Sequence, residues 1–363
     1  MDRRLIPNVK KIAIFRALAL GDIIFSLPAV QAIHRAYPQA EISFLGRAWL
    51  KDFLPGRVPG IQRVIGVPPP QGDQIAQGLV IPPEDEPGFV CQMQAEAFDL
   101  AFQMQGGGKQ SNRFVDLFGA RVNAGARAPG APALERWIPY TYYQSEVLRM
   151  LDIAALAGAL PDPEHLHPRL RVLPADQAAA APFLEQIRRP FLVLHPGSTD
   201  PRRRWSPGNF AQVAAHYQRE HGLAVILTGV DYEADAAAAI ERELPGEVHN
   251  LCAKLSLPAL VGVLSQARLI LSNDTGPLHL GLALDTPAVG LFWCEYIVNS
   301  LPLSRANFLP LISWERTCPN CGRQIDKQEA DQPQQPGCSH EVSFINSITP
   351  QQVCDAVDHL LSV

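Results

Sequence analysis

The sequence predicts an α/β fold built from two doubly wound domains, and three features carry that prediction. Short apolar, β-branched runs alternate with stretches of helical periodicity. A proline-bearing break near the middle interrupts that rhythm, which then restarts. At 363 residues the chain is long for one hydrophobic core and suits two domains of ordinary size.

Taken in order, the first set of strand candidates is "KKIAIF" (10–15), "AEISFL" (40–45), "RVIGV" (63–67), "FDLAFQMQ" (98–105) and "ARVNAGA" (120–126). Ile23, Leu27, Val30 and Ile33 recur at helical spacing between Asp22 and Tyr37, so this segment reads as an amphipathic helix ended by Pro38. Pro28 should bend that helix or fray its start. Residues 68–97, rich in proline and polar groups, read as loop and short helix. The break "LPDPEHLHPRLRVLPADQ" (160–177) is the candidate linker, dividing the chain into domains 1–174 and 175–363. The rhythm resumes with "FLVLHPG" (191–197), "LAVILTG" (223–229), "EVHNLC" (247–252), "ARLILSNDTG" (267–276), "PAVGLF" (287–292) and "FLPLIS" (308–313). At the end, Thr349, Pro350 and Gln352 have the spacing of a capping box that opens a terminal helix.

Composition narrows the function. An apolar content of 47% supports buried cores, and a net charge of -5 argues against a general nucleic-acid binder, which needs a broad cationic surface. The N-terminus lacks a signal-peptide pattern and no later stretch reaches the apolar length of a membrane span, so the expected location is the cytoplasm. Seven cysteines, an odd number, make a disulfide framework unexpected.

Open α/β sheets bind ligands beyond the carboxyl ends of their strands, so the residues just after each apolar run are informative. After "KKIAIF", Gly21 permits a tight turn and Asp22 follows it at a helix mouth, either as a plain cap or as a reactive acid. "HPGSTDPRRRWSPGNF" (195–210) offers Ser198 and then Arg202, Arg203 and Arg204, a candidate grip on a diphosphate in an otherwise acidic chain. The alternative is a solvated charged loop. "LSNDTGPLHLGLAL" (271–284) places Asp274, Thr275 and the Gly276 amide at a helix start, with His279 one turn later, where an anion or sugar hydroxyls would fit. There the alternative is a capping Asp274 and a core His279. "LTGVDYEAD" (227–235) supplies Asp231 and Glu233 as partners for ribose hydroxyls. The first turn carries one glycine where a dinucleotide fingerprint needs three, and "GGGKQS" (106–111) imitates a P-loop only superficially. A dehydrogenase is disfavoured and a P-loop NTPase is excluded.

In that order, "LGDIIFSLPAV", "HPGSTDPRRRW" and "SNDTGPLHL" resemble glycosyltransferase family 9, the ADP-heptose:lipopolysaccharide heptosyltransferases, from Lys10 to the terminal helix. The resemblance implies a GT-B fold, two doubly wound Rossmann-like domains facing a central cleft. The N-terminal domain would take the acceptor, a glycolipid such as the lipopolysaccharide core or another glycan. The C-terminal domain would take the nucleotide-sugar, ADP-heptose or a relative, with the terminal helix packing back on the N-terminal domain. It also implies inverting, metal-independent transfer with Asp22 as general base, Lys254, Leu255 and Ser256 lying along the nucleotide base, and at most peripheral contact with the inner face of the membrane. In chemical terms Arg202, Arg203, the Ser198 loop and the amides after Asp274 would meet the charge of the leaving diphosphate. The family commonly has lysine where this chain has Arg203. A nucleotide-sugar epimerase or hydrolase on the same plan, or a non-catalytic nucleotide-sugar binder, remains the alternative.

No cofactor is expected to be required. Cys318 and Cys321 form a C-x-x-C, followed by Cys338 and His340, and these four could close a structural zinc site or stay free thiols with an occasional disulfide.

Overall fold

The computed structural model describes residues 4–72, 74, 79–325, 338 and 340–362. It divides into two compact units, Met1–Arg171 and Val172–Val363, with the boundary inside the proline-bearing break.

In the first unit the apolar runs become parallel strands: β1 (Lys11–Phe15), β2 (Glu41–Gly46), β3 (Ile61–Gly66), β4 (Leu100–Gln103), β5 (Val122–Arg127) and β6 (Arg136–Pro139). Their order across the sheet is β3-β2-β1-β4-β5-β6, and every pairing is parallel. Parallel strands covered on both faces must be apolar on both, which is why the central strands read as continuous hydrophobic runs. Strand β6, "RWIP", lacks that signature because it is an edge strand, paired on one side only and closed by Pro139.

Helix α1 (Leu20–Ala36) follows β1, and it is continuous through Pro28. The start of the helix does not fray at Pro28, around which Ile23, Ile24, Leu27, Val30 and Ile33 are all buried. That burial outweighs a proline cost of about 3 kcal/mol. Among the described residues the other α-helices of this unit are α2 (Leu50–Phe53), α3 (Glu86–Glu96), α4 (Ser111–Asp116) and α5 (Glu146–Ala155), the last packed along α1.

The second unit repeats the plan with β7 (Phe191–His195), β8 (Ala224–Leu227), β9 (Val248–Asn250), β10 (Leu269–Asn273), β11 (Ala288–Trp293) and β12 (Phe308–Ser313). The sheet order, β12-β11-β10-β7-β8-β9, is the first unit's order read from the other edge. Its helices are α6 (Pro174–Leu184), α7 (Pro207–His221), α8 (Ala234–Glu243), α9 (Leu257–Leu264), α10 (Gly276–Ala283), α11 (Ile297–Ser300) and α12 (Pro350–Ser362). Gly262 lets α9 lie close on α6, since a Cβ there would come within 2.3 Å of the Asp176 carbonyl oxygen.

The terminal α12 opens with the expected capping box: Thr349 N–H donates to Gln352 Oε1 (2.9 Å) and Gln352 N–H to Thr349 Oγ1 (3.3 Å). Val353, Ala356 and Val357 lie in the core of the second unit with Trp205, Tyr217 and Trp293, where α12 packs on α7, β11 and β12. Among the described residues no helix is long and apolar enough to cross a membrane.

Candidate active site

Both sheets reverse their strand order once, between β1 and β4 and between β7 and β10, and at such a switch point the loops diverge to leave a crevice. In the first unit that crevice holds Asp22. The N-cap of α1 is Ala19, without a side-chain capping bond, so Asp22 stands at the third helical position. Its carboxylate turns to Arg16, whose Nη2 lies 3.2 Å from Asp22 Oδ1 and whose Nε donates to the Asp22 carbonyl oxygen (2.6 Å). Arg16 is buried, and it also donates to the Met104 carbonyl beyond β4 and pairs with Glu146 Oε2 at 3.2 Å. Glu146 in turn pairs with Arg149, whose guanidinium packs over the Tyr140 ring at 4.6 Å. Two acids and two arginines therefore make an electrically balanced quartet, and burial pulls both guanidinium groups below their ordinary range. The Asp22 side chain keeps 37% of its surface exposed against 1% for Arg16, so the acid is anchored on one side and open on the other.

In the second unit the crevice between β7 and β10 is built around Asn273 and Asp274. Asn273 Nδ2 donates to the carbonyls of Pro196 (2.7 Å) and Gly197 (3.3 Å), and its Oδ1 accepts from Trp205 N–H (3.2 Å). One side chain thus ties the loop after β7 to the arginine loop. Asp274, buried, has His279 Nε2 2.9 Å from Oδ1 and accepts from Ser300 Oγ at Oδ2 (2.8 Å). Burial alone would raise its carboxyl, but the His279 bond, with Arg203 and Ser300 beside it, holds it below the usual carboxylate range.

The three arginines, alike in sequence, have different partners. Arg202 forms a two-pronged pair with Asp200, both contacts at 2.8 Å. Arg204 Nε donates to the Ser198 carbonyl (2.7 Å). Arg203 reaches the site: Nη1 donates to the Asp274 carbonyl (3.2 Å) and lies 3.5 Å from Asp274 Oδ2, with Tyr296 under its guanidinium at 4.4 Å. Its Nε, though buried, has no hydrogen-bond partner among the described residues. A guanidinium beside a helix start suits an anionic acceptor such as a phosphate oxygen. Helix α10 adds the amides of its first turn, because its N-cap Thr275 makes no side-chain capping bond. Gly276 opens that turn and His279 follows one turn later.

The remaining candidates are partly committed to structure. Ser198 is buried and its Oγ accepts from Asp200 N–H (3.3 Å). Glu233 is buried against Gly197, where a Cβ would fall 1.9 Å from the Glu233 carboxyl carbon, so only glycine fits. Glu233 Oε2 accepts from Val230 N–H (2.9 Å) and lies 3.9 Å from His195 Nε2, while burial lowers the His195 imidazole. Ser256 caps α9 through the Ala259 amide (3.3 Å), and Lys254 Nζ, on an exposed residue, donates to the Asn250 carbonyl (2.7 Å). Cys318, Cys321, Cys338 and His340 do come together, their ligand atoms all within 4.8 Å of one another, a set able to hold a metal ion. The sequence reading did not anticipate Arg16, Glu146, Arg149, Asn273, Tyr296 or Ser300. A buried arginine directly after an apolar strand was the one available signal.

Two Rossmann-type sheets in one chain, each with polar side chains gathered at its switch point, define the class as two-domain enzymes of the GT-B fold. The family model of glycosyltransferase family 9 (heptosyltransferase) matches residues 89–306. The chain is 23% identical to lipooligosaccharide heptosyltransferase 2 of Haemophilus influenzae, over 94% of this chain and 97% of that protein. It is 25% identical to lipopolysaccharide heptosyltransferase 2 of Salmonella typhimurium, over 97% and 99%. The solved structure of E. coli ADP-heptose lps heptosyltransferase II superposes with a TM-score of 0.73 at 21% identity, covering 97% of this chain and 98% of that one. The chain belongs to glycosyltransferase family 9 and is a glycosyltransferase.

Proposed function

We propose that the protein transfers heptose from ADP-heptose to a lipopolysaccharide core or related glycan acceptor, by a single displacement that inverts the anomeric centre. The observation that carries this reading is Asp22: its carboxylate leaves its own helix uncapped, is anchored by Arg16 and stays open on the other side. In the proposed step the acceptor hydroxyl gives its proton to Asp22 as its oxygen bonds the anomeric carbon. The bond from that carbon to the diphosphate oxygen breaks, and the nucleoside diphosphate leaves with the electron pair. Arg203 and the first-turn amides of α10 meet the charge that gathers on it, a role that asks for no metal. Unit Met1–Arg171 would hold the acceptor and unit Val172–Val363 the donor, with Glu233 toward the ribose and Lys254 to Ser256 along the base. The Cys318, Cys321, Cys338 and His340 set would be a structural zinc site that touches neither reacting sugar nor acceptor. Names of the relatives support the donor and acceptor, and a place of action in the cytoplasm at the inner face of the membrane follows from such an acceptor.

The test is transfer measured with purified ADP-heptose and lipopolysaccharide-core acceptor. Asp22→Asn should bind ADP as the native protein does while turnover falls about 10²–10⁴-fold. Wild-type turnover in that variant would remove Asp22 from the chemistry. Donor consumed at full rate without acceptor would instead make the enzyme a hydrolase or epimerase.

A further inference from the structure

Three separations within the cysteine and histidine set lie near the edge lengths of a tetrahedral coordination shell. Bonds of about 2.3 Å to sulfur and 2.0–2.1 Å to nitrogen in a tetrahedron give edges of about 3.8 Å between sulfurs and about 3.6 Å between sulfur and nitrogen. Cys321 and Cys338 sulfurs stand 3.6 Å apart, Cys318 Sγ and His340 Nδ1 3.6 Å, and Cys338 Sγ and His340 Nδ1 3.2 Å. A disulfide would draw two sulfurs to about 2.05 Å, and all of these thiols are unpaired. The first two ligands sit on a tight knuckle: Gly322 N–H donates to the Cys318 carbonyl (2.8 Å), Cys318 N–H to the Arg323 carbonyl (2.8 Å), and Gly322 takes the left-handed φ of 70° the turn needs.

What lies next to the knuckle is the donor loop. Four residues beyond His340, Phe344 N–H donates to the Arg202 carbonyl (2.8 Å). Asn346 Oδ1 accepts from Ser206 N–H (2.9 Å), and the Ile348 carbonyl accepts from Trp205 Nε1 (2.9 Å). Phe344 stacks on Trp293 with centroids 4.9 Å apart, and Cys318, Ile325 and Phe344 share one buried cluster with Trp205. The stretch 344–348 therefore supports the backbone on both sides of Arg203.

We infer that Cys318, Cys321, Cys338 and His340 bind one ion of tetrahedral, thiolate-loving character, zinc or iron, and that this ion fixes residues 344–348 against the arginine loop, so that metal loading sets the affinity for the donor's diphosphate. The inference rests on the reading of Arg203 as the diphosphate ligand and of the four side chains as a metal site. The ion here is a remote brace, and its effect on binding runs through the position of Arg203.

The full-length protein, purified under reducing conditions, is assayed for metal content and titrated with ADP and with adenosine before and after chelation. One equivalent of zinc or iron is expected. Its removal should weaken ADP about tenfold, leave adenosine within about twofold, and be reversed by adding the ion back. Asn346→Ala, which leaves all four ligands in place, should weaken ADP selectively while retaining the metal. A protein that neither carries nor takes up metal overturns the site and the coupling together. A full equivalent whose removal leaves ADP binding unchanged, or weakens ADP and adenosine equally, overturns the coupling and leaves the site standing. Arg203→Ala with native ADP affinity overturns the underlying assignment of the diphosphate, which separates that failure from the other two.

Discussion

The two switch points carry the same device, an aspartate just after a central strand, wired in opposite ways. Asp22 has 37% of its side chain exposed and one arginine at its flank, whereas Asp274 has 2% exposed and is enclosed by His279, Ser300 and Arg203. The two acids follow different strands of the shared plan, Asp22 after β1 and Asp274 after β10, the counterpart of β4, and the segments around them bring different partners to each acid. In the first unit, partners arrive from one side and leave an oxygen toward solvent. In the second, α11 contributes Ser300 and α10 contributes His279, which closes the shell. An acid with an open face can exchange a proton, while one with a full shell serves as framework for the cation it holds.

The sharpest way to break this contrast is to delete each acid and measure stability in denaturant. Asp274→Ala removes the acceptor shared by the half-buried Arg203, the buried His279 and Ser300, and should cost about 3–5 kcal/mol. Asp22→Ala leaves the buried Arg16 its pair with Glu146 and its bond to the Met104 carbonyl, and should cost less, about 1–3 kcal/mol. Equal losses would mean that the open face of Asp22 is not a real difference. A smaller effect is expected from Arg203→Ala: ADP binding should weaken by about 1.5–3 kcal/mol, the range for a charge-assisted hydrogen bond, with adenosine binding nearly unaffected. The smallest signal is in pH. A carboxyl whose folded value lies below its unfolded value of about 3.9 adds stability above that pH and loses it as pH falls through the folded value. Native protein should therefore lose more stability between about pH 5 and pH 2 than Asp274→Asn does, followed through the buried Trp205 and Trp293. Parallel curves would show that the shell around Asp274 does not favour its charge.

How much of this could be read from the sequence follows the same physics. The central strands announce themselves as apolar runs because both faces are covered, and the edge strands β3, β9 and β12 are legible through shorter or less buried runs, whereas β6, an edge strand ending in Pro139, shows none. Asp22 was visible because it sits one residue past the glycine of a strand-to-helix turn. Its anchor was not, since Glu146 lies 130 residues from Arg16 and only the folded sheet brings them together. The triple arginine was visible as a charge cluster, but a run of identical side chains carries no information about which will be spent on Asp200, which on a carbonyl, and which on Asp274.

The strand order is the same in both halves, and each half closes its own core. That makes specificity separable in descent. If the proposed roles hold, a lineage could rework the loops around Asp22 to accept a different glycan without disturbing the packing that presents Arg203, and could retune the nucleotide without touching the quartet at Arg16. Exchange of whole halves between relatives, cut at Arg171 and Val172, is then a practical unit of diversification, with each parent supplying one intact sheet and the polar side chains that its own switch point assembles.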